Sequence, residues 1–342
     1  MEYVLKKTET GKKITVRMLQ NKLLEMMKDI DKICQKNDIN YFLAGGSCLG
    51  AVRHHGFIPW DDDMDIAMSR VEYNKFVKAL KKDLGDKYVF HCYEKNKKYP
   101  VYWPAMKIRL KNTYIREANK FLPNPCTDSD GIFIDVFIYD YMSNNRFLDF
   151  ILRIINTILM IVLVFFENLG INLIPIKELY RFNARMYGKL CKNSKYFADE
   201  ITWSFNPLKP FKYKYSDIYP TKKIKFKDTS FPVPGNYCEY LRKNYGDNYM
   251  TPINRGGGHG YPFYGIFIDS LQEKRQDKTK EDTLRYIEQV ASGYYDNFLA
   301  QENTPTYEYC ADDFCADMVD GCMVSEETKR NRAAEMEILA EI

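Results

Sequence analysis

The chain has 342 residues, of which 45% are hydrophobic and 15% aromatic, so it can bury a sizeable core as one elaborated domain or one and a half. Its formal net charge of +4 is too small to indicate nucleic-acid binding, and no RNA- or DNA-binding signature is present, so we expect no nucleic-acid partner. Nine cysteines without framework spacing, and an N-terminus without an apolar signal-peptide core, predict a reduced, cytoplasmic protein.

The first predicted element is a helix from about Ile14 to Lys36, in which apolar residues recur every three or four positions and mark one buried face. A short apolar run then leads into a Gly-Gly-Ser turn. Gly45 and Gly46 let the backbone approach a ligand without an intervening Cβ, and Ser47 is expected to cap a helix over Cys48–His54. The free N–H groups of such a helix suit a phosphate oxygen.

Four carboxylates follow within five residues, Asp61, Asp62, Asp63 and Asp65. From Asp63 onwards aspartate alternates with apolar residues, which predicts a strand with Asp63 and Asp65 on one face. Two carboxylates about 7 Å apart repel each other unless a cation lies between them, and oxygen ligands suit Mg²⁺ or Mn²⁺. A plain turn and a solvated acidic loop are the alternative, but the two motifs about sixteen residues apart are more specific than either alone.

The stretch GGSCLGAVRHHGFIPWDDDMDIAM, residues 45–68, resembles the signature of the LicD family of bacterial phosphotransferases, relatives of fukutin and fukutin-related protein. The resemblance implies a nucleotidyltransferase-like catalytic core. It also implies transfer of a phospho-alcohol from a CDP-activated donor to a cell-surface glycan.

Beyond the signature, Ser69 and Glu72 form a capping box ahead of a second amphipathic helix. Strands are predicted at 87–93, 101–110 and 113–116. Lys107 and Arg109 lie two residues apart on one strand face, where a pair of cations would neutralise a diphosphate. The family resemblance favours Lys107 over Arg109, because a lysine recurs in this strand; a solvated strand face is the alternative.

Residues 131–140 predict a strand that is apolar on both faces except at Asp135. A single carboxylate in such a strand is costly unless it meets a cation or a metal. Nucleotidyltransferase-like sites use a third carboxylate on a neighbouring strand, and Asp135 fits that place better than a structural ion pair. Asp140, at the end of the strand, is expected to be a turn or cap residue.

Residues 147–176 form the most apolar segment of the chain. Its charge-free part, 154–166, is shorter than the roughly 20 residues that cross a bilayer. We interpret 147–176 as one or two helices that form an internal lid or lie in a membrane interface, and the lipid-linked substrates implied by the resemblance favour the interface. Seven lysines in 209–227 would attract anionic head groups or a polyanionic acceptor, or form a solvated surface.

The C-terminal third carries fewer signals. Residues 232–252 resemble the family element in which a helix follows a Pro-x-Pro turn and ends near Tyr-Gly-Asp, with Tyr240, Leu241 and Tyr245 packed onto the core. In the glycine-rich stretch that follows, His259 matches a position where the family often carries histidine, although the glycines depart from its usual charged spacing. Residues 327–342 predict a helix, either an ordinary terminal helix or the start of a second module.

These observations predict an α/β (α+β) fold with a nucleotidyltransferase-like mixed sheet flanked by helices. We expect a first part of the catalytic core in 1–142, an apolar helical insertion in 143–212, a second part of the core in 213–300 and a C-terminal tail in 301–342. The expected partners are a CDP-activated donor, CDP-choline foremost, and a glycan or lipid-linked glycan acceptor. We expect a cytoplasmic protein, attached peripherally to the inner face of the membrane if the apolar segment binds lipid.

The predicted reaction is Mg²⁺- or Mn²⁺-dependent transfer of a phospho-alcohol, phosphocholine foremost, to a hydroxyl of a glycan, teichoic-acid or lipopolysaccharide precursor. One alternative is a nucleotidyltransferase that moves the nucleotide itself, and another is an inactive binding module. The expected metal ligands are Asp63, Asp65 and Asp135, with Asp61 as a further ligand or general base. Arg53 is expected to offset developing phosphate charge, and the substrate-binding residues are Gly45, Gly46, Ser47, Lys107, Arg109 and His259.

Overall fold

The computed structural model of the protein describes residues 4–7, 13–59, 61–111, 113, 131–192, 194–200 and 212–251. Its helices are α1 Val16–Lys36, α2 Gly45–His54, α3 Arg70–Asp83, α4 Arg146–Asn168, α5 Ile174–Leu190, α6 Tyr215–Ile218 and α7 Tyr237–Tyr245. Its strands are β1 Val4–Lys7, β2 Lys13–Thr15, β3 Phe42–Leu43, β4 Asp65–Ser69, β5 Tyr88–Cys92, β6 Met106–Leu110, β7 Phe133–Met142, β8 Tyr196–Asp199, β9 Tyr213–Lys214, β10 Lys222–Phe226 and β11 Thr229–Val233.

A mixed sheet of seven strands forms the centre of the described fold. Its main path runs β3-β4-β7-β6-β5, and β8 and β9 extend it from the far half of β7. β4 and β7 are parallel, whereas β7 is antiparallel to both β6 and β8. The predicted α/β class with a mixed sheet is therefore confirmed, and the ten-residue β7 links the two halves of the sheet.

Two amphipathic helices predicted from periodicity and capping pack against this sheet. α1 is capped by Thr15, and its apolar side chains from Leu19 to Cys34 are buried except for the half-buried Leu24, as the three-and-four spacing predicts. α3 begins after Ser69, whose hydroxyl accepts the Glu72 N–H at 3.3 Å. Both helices contact β7, and α3 also contacts β4, so they hold the acidic strand in place.

α7 lies over the sheet face that carries Asp135. Side chains four residues apart on β7 point the same way, so Tyr139 shares this face with Asp135. The hydroxyl groups of Tyr139 and Tyr240 on α7 lie 3.3 Å apart. The predicted helix that ends near Tyr-Gly-Asp is confirmed, with Tyr240 and Leu241 buried, whereas Tyr245, also expected to pack onto the core, is 45% exposed.

Several predicted boundaries are wrong. Asp63 precedes β4, which begins at Asp65, because the ladder with β7 starts at the Asp65–Asp135 pair. Asp140 lies inside β7 rather than in a turn, because β8 pairs with residues 139–142. Its carboxylate is buried and accepts a hydrogen bond from Arg70 Nε at 2.7 Å. The strand predicted at 101–110 is formed only over Met106–Leu110, and of 113–116 only Thr113 lies within the described residues, outside any strand.

The apolar segment folds into two helices, α4 and α5, that contact each other. Among the described residues, α4 is the one helix long and apolar enough to cross a membrane by length and composition alone. α5 also contacts β7, which attaches this hairpin to the sheet.

Candidate active site

Two carboxylates and an ammonium group form a row across the sheet. Asp65 on β4 pairs in register with Asp135 on β7, and Asp135 pairs with Lys107 on β6. Residues in register point to the same face, so the three side chains are neighbours. Lys107 Nζ donates to both carboxylate oxygens of Asp135, at 2.8 and 3.0 Å. The buried cation therefore compensates the charge that the sequence identified as costly at Asp135.

The loop before β4 brings a second group of carboxylates to the end of that strand. One oxygen each of Asp61, Asp62 and Asp63 lie within 4.8 Å of one another. Gln20 on α1 holds this loop in place. Its amide nitrogen donates to the backbone oxygens of Ile58 at 3.0 Å and Asp61 at 2.9 Å. Asp62 and Asp63 are buried, so their negative charges are concentrated at low dielectric.

The Gly-Gly turn faces these carboxylates. Gly45 has a positive φ of 50°, and a Cβ placed there would lie 3.6 Å from Asp65 Oδ2. A Cβ on Gly46 would lie 3.1 Å from Asp61 Oδ2. The absence of side chains at both positions therefore lets the first turn of α2 approach Asp61 and Asp65.

Ser47 has a different role from the predicted cap. α2 begins at Gly45 with Ala44 as its N-cap residue, so Ser47 lies within the first turn. Its hydroxyl accepts the backbone N–H of Asp65 at 2.8 Å. Ser47 thus ties α2 to the start of β4 and positions the Asp65 carboxylate.

Arg53 and Arg109 lie in buried surroundings. Arg53 donates from Nε to His54 Nε2 at 2.9 Å and from a terminal nitrogen to Tyr249 O at 2.8 Å. Arg109 donates to Gly131 O at 3.0 Å, and its Cζ lies 5.0 and 5.4 Å from the ring centres of Phe133 and Trp103. Lys107 is thus the member of the predicted cation pair that the structure joins directly to a site carboxylate, while the substrate roles of both arginines stay predictions.

Two tyrosines of α7 complete this side of the site, and the sequence analysis assigned them to core packing. The Tyr240 hydroxyl accepts the Gly45 N–H at 3.1 Å, which satisfies the first N–H of α2. Tyr245 is 45% exposed, and its hydroxyl lies 3.8 Å from the Cβ position of Gly45. Burial of this hydroxyl, together with the nearby carboxylates of Asp65, Asp61 and Asp63, raises the pKa of Tyr245. Its place as the last residue of a helix and the first of Tyr-Gly-Asp was the available signal.

His91 is a further residue that the sequence analysis missed. His91 lies on β5 and pairs in register with Lys107 on β6. It therefore extends the row of Asp65, Asp135 and Lys107 to the edge strand. A lone histidine between apolar strand residues gives no signal of this placement. The predicted substrate residue His259 lies outside the described residues.

The donor set fits a hard divalent cation. It consists of carboxylate oxygens alone, which Mg²⁺ and Mn²⁺ prefer. Of the predicted ligands, Asp63 belongs to the cluster with Asp61 and Asp62, and Asp65 adjoins it across Gly45 and Gly46. Asp135 is engaged by Lys107, so its service as a third metal ligand stays a prediction.

The comparisons with known proteins concern this same region. Residues 38–148 match the family model described as LicD/FKTN/FKRP, nucleotidyltransferase domain. The chain is similar to lipopolysaccharide cholinephosphotransferase LicD of Haemophilus influenzae, with 33% identity over 139 residues that make up 39% of this chain and 47% of that protein. It is also similar to an uncharacterized protein of Rickettsia typhi, with 43% identity over 58 residues, 17% of this chain and 19% of that protein.

The chain thus spans about half the length of the first relative and about a fifth of the second. The matched residues contain Asp61, Asp62, Asp63, Asp65, Lys107 and Asp135, whereas α7 with Tyr240 and Tyr245 lies beyond them. The part of the chain that holds these carboxylates, residues 38–148, thus matches the LicD/FKTN/FKRP nucleotidyltransferase domain.

Proposed function

We propose that the protein transfers a phospho-alcohol, phosphocholine foremost, from a CDP-activated donor to a hydroxyl group of a glycan. The observation that carries this proposal is the meeting of five carboxylates and Lys107 at the start of β4, within the domain that matches the family. The relative from Haemophilus influenzae is named as a lipopolysaccharide cholinephosphotransferase, which supports phosphocholine as the transferred group and a lipopolysaccharide precursor as an acceptor.

The charge balance of the site supports a requirement for a divalent cation. A CDP-alcohol carries a negatively charged diphosphate, and Asp61, Asp62, Asp63 and Asp65 would repel it. Asp61–Asp63, together with Asp65, would hold Mg²⁺ or Mn²⁺. The bound ion would neutralise the diphosphate and the departing CMP.

The chain's own residues have separate tasks in this reaction. The acceptor oxygen forms a bond to the phosphorus that carries the alcohol, the bond from that phosphorus to the CMP oxygen breaks, and the hydroxyl proton passes to a base. The base would be a carboxylate of the cluster that does not bind the ion, and Asp61, next to the open Gly46 position, is the candidate if Asp62, Asp63 and Asp65 suffice as ligands. Lys107 holds Asp135 in place and supplies positive charge next to it, while Ser47 fixes Asp65.

The test is incubation of the purified chain with CDP-choline, Mg²⁺ and candidate glycan acceptors, with CMP and phosphocholine-modified acceptor as readouts. Omission of Mg²⁺, and the variants Asp63→Asn and Asp65→Asn, should each abolish CMP release while the thermal unfolding transition is kept. Full activity of either variant would remove the metal assignment. CDP-glycerol and CDP-ribitol in place of CDP-choline identify the alcohol.

Two other outcomes would indicate one of the alternative functions. A nucleotidyltransferase would release pyrophosphate from a nucleoside triphosphate when an alcohol phosphate or sugar phosphate is supplied. A binding module would bind CDP-choline in a thermal-shift assay without turnover. Either result would replace phospho-alcohol transfer as the function of this site.

A further inference from the structure

The polarity of α4 is reversed relative to a helix on the surface of a water-soluble protein. Its buried side includes Asp149, Arg153 and Asn156. Its exposed side is apolar and consists of Phe147, Leu148, Phe150, Ile151, Ile155, Ile158, Ile161 and Phe165. At 3.6 residues per turn these two sets lie on opposite sides of the helix. A surface helix in water normally buries the apolar side and exposes the polar one.

Contacts at both ends of α4 fix this orientation. Near its start, Asp149 accepts from Arg153 Nε at 3.0 Å, pairs with Lys212 Nζ at 2.6 Å and accepts from the Tyr187 hydroxyl. Near its end, Glu167 pairs with the buried Lys177. Rotation of α4 to hide its apolar side would break both groups of buried charges, which is strongly unfavourable. The apolar side therefore faces outwards in the folded protein.

The exposed apolar surface of the described residues is concentrated on the α4–α5 hairpin. Of the 17 large hydrophobic residues that are exposed in the described parts of the chain, 14 lie between positions 147 and 190, and the others are Val71, Tyr215 and Tyr245. Beyond α4 the surface continues through the connecting loop and onto α5 with Leu169, Ile171, Ile174, Leu179, Phe182 and Leu190. A patch of this kind on an otherwise well-buried protein marks a binding surface rather than loose packing.

The exposed charges of the hairpin are mostly basic. Between 146 and 195 they are Arg146, Arg185, Lys189, Lys192 and Lys195, whereas the one acidic side chain with comparable exposure among the described residues, Glu178, is 40% exposed and pairs with Lys97 and Arg185. Most of the basic residues lie at the open end of the hairpin, where Ser143 N donates to the Tyr187 hydroxyl at 2.8 Å and Ser194 Oγ donates to Asn144 Oδ1 at 2.9 Å. This end of the apolar surface is therefore bordered by positive charge, which complements an anionic surface.

We propose that the outer side of the α4–α5 hairpin docks onto an anionic lipid leaflet, with α4 lying along the membrane surface. Insertion of the apolar side chains and attraction between the basic border and lipid phosphates would act together. α4 does not cross the bilayer in this arrangement, because its inner side carries charged groups tied to Lys212 and Lys177 and the body of the protein. A second copy of the chain is disfavoured as the occupant, since its hairpin would add five exposed cations and only one exposed anion, Glu178, which already pairs with Lys97 and Arg185.

The test is flotation of the full chain with two kinds of vesicle, neutral phosphatidylcholine alone and phosphatidylcholine mixed with anionic phosphatidylglycerol. We expect binding to the anionic vesicles that weakens with added salt. The triple variant Ile158→Gln, Ile161→Gln, Phe165→Gln should lower the partition coefficient on the order of 100-fold. Lys189→Gln with Lys192→Gln should lower it roughly twentyfold on anionic vesicles only.

Matched controls lie on α3, outside the hairpin. Val71→Gln removes an exposed apolar side chain, and Lys81→Gln with Lys82→Gln removes two exposed lysines, so both should leave partitioning unchanged. All variants change surface positions, and their unfolding temperatures should match that of the parent chain.

Two results would overturn the proposal. One is a parent chain that stays unbound at low salt. The other is a triple variant that floats as well as the parent. A dimer in light scattering that the triple variant converts to a monomer, without vesicle binding by the parent, would assign the surface to a second copy. None of these measurements uses turnover, so they test membrane docking independently of the proposed reaction.

Discussion

Gly46 and Asp61 approach so closely that a Cβ on Gly46 would lie 3.1 Å from Asp61 Oδ2. We predict that Gly46→Ala displaces this carboxylate by a few tenths of an ångström and weakens Mn²⁺ binding by about tenfold, as changes next to metal ligands commonly do. Stability should be retained, because alanine favours a helix over glycine by up to about 1 kcal/mol. Mn²⁺ titration by calorimetry, beside a thermal unfolding curve, measures both quantities.

Gly85→Ala is the matched control. Gly85 has a positive φ of 68° and nothing within 4 Å of its Cβ position, so alanine there strains the backbone at a place remote from the carboxylates. It should lower the unfolding temperature and leave Mn²⁺ affinity unchanged, the opposite pattern to Gly46→Ala. Equal Mn²⁺ affinity in Gly46→Ala and the parent would show that Asp61 does not bind the ion.

The ion pair between Lys107 and Asp135 predicts that a second substitution, at Asp135, restores the stability of a Lys107 variant but not its activity. Lys107→Met leaves the Asp135 carboxylate largely buried without its cation, and we expect a loss of about 3 kcal/mol in the free energy of unfolding. Adding Asp135→Asn removes the carboxylate charge that Lys107 compensated and should restore most of that loss. Turnover with CDP-choline should be absent in both variants.

Urea unfolding of the parent, the two single variants and the double variant gives the coupling energy of the pair. A coupling energy near zero would mean that Lys107 does not compensate Asp135. Activity in the double variant would remove both residues from the catalytic machinery.

Local signals accounted for the elements that hold the site. The apolar spacing of α1, the Ser69–Glu72 cap of α3 and the alternation of β7 each predicted their element, because capping and amphipathic spacing depend on neighbours in sequence. The cluster of carboxylates was equally visible, since four of them lie within five residues.

Contacts between residues distant in sequence determine the features that the sequence did not show. The ladder to β7 sets the start of β4 at Asp65, which leaves Asp63 in the preceding loop. Pairing with β8 keeps Asp140 inside a strand that local alternation ends sooner. Ser47 has the composition of a cap, yet its hydroxyl accepts the N–H of Asp65. Each of these features depends on residues at least 18 positions away, and local patterns carry no information on such partners.

The position of Tyr245 predicts that removing its hydroxyl group lowers catalysis and leaves stability unchanged. Its hydroxyl lies beside the carboxylates and the Gly45 backbone, whereas half of its ring is exposed. Tyr245→Phe should reduce turnover about tenfold, a loss on the order of one hydrogen bond in the transition state, and keep the unfolding temperature. Tyr237→Phe on the same helix is the matched control and should be fully active. Equal turnover in both variants would place Tyr245 outside the site.

The burial of His54 predicts that the stability of the protein depends on pH. Burial, together with the positive charges of Arg53 and Lys227, lowers the pKa of His54 to about 3 from its usual value near 6.5. The neutral ring accepts the hydrogen bond from Arg53 Nε at 2.9 Å, and Arg53 in turn binds the backbone of Tyr249. Because the unfolded chain takes up the proton near pH 6.5 and the folded chain does not, this residue lowers stability as the pH falls from about 6.5 to about 3.

The opposite sign holds for Asp140 and Asp199, because burial raises the pKa of each to about 7 and the folded state then keeps their protons longer than the unfolded chain. The contribution of His54 is therefore isolated by comparison with His54→Gln, which does not titrate. We expect the stability of the parent relative to this variant to fall by about 1.4 kcal/mol per pH unit below pH 6. Urea unfolding at pH 7.5, 6 and 5 measures it, and a constant difference across this range would mean that His54 carries its ordinary pKa in the folded protein.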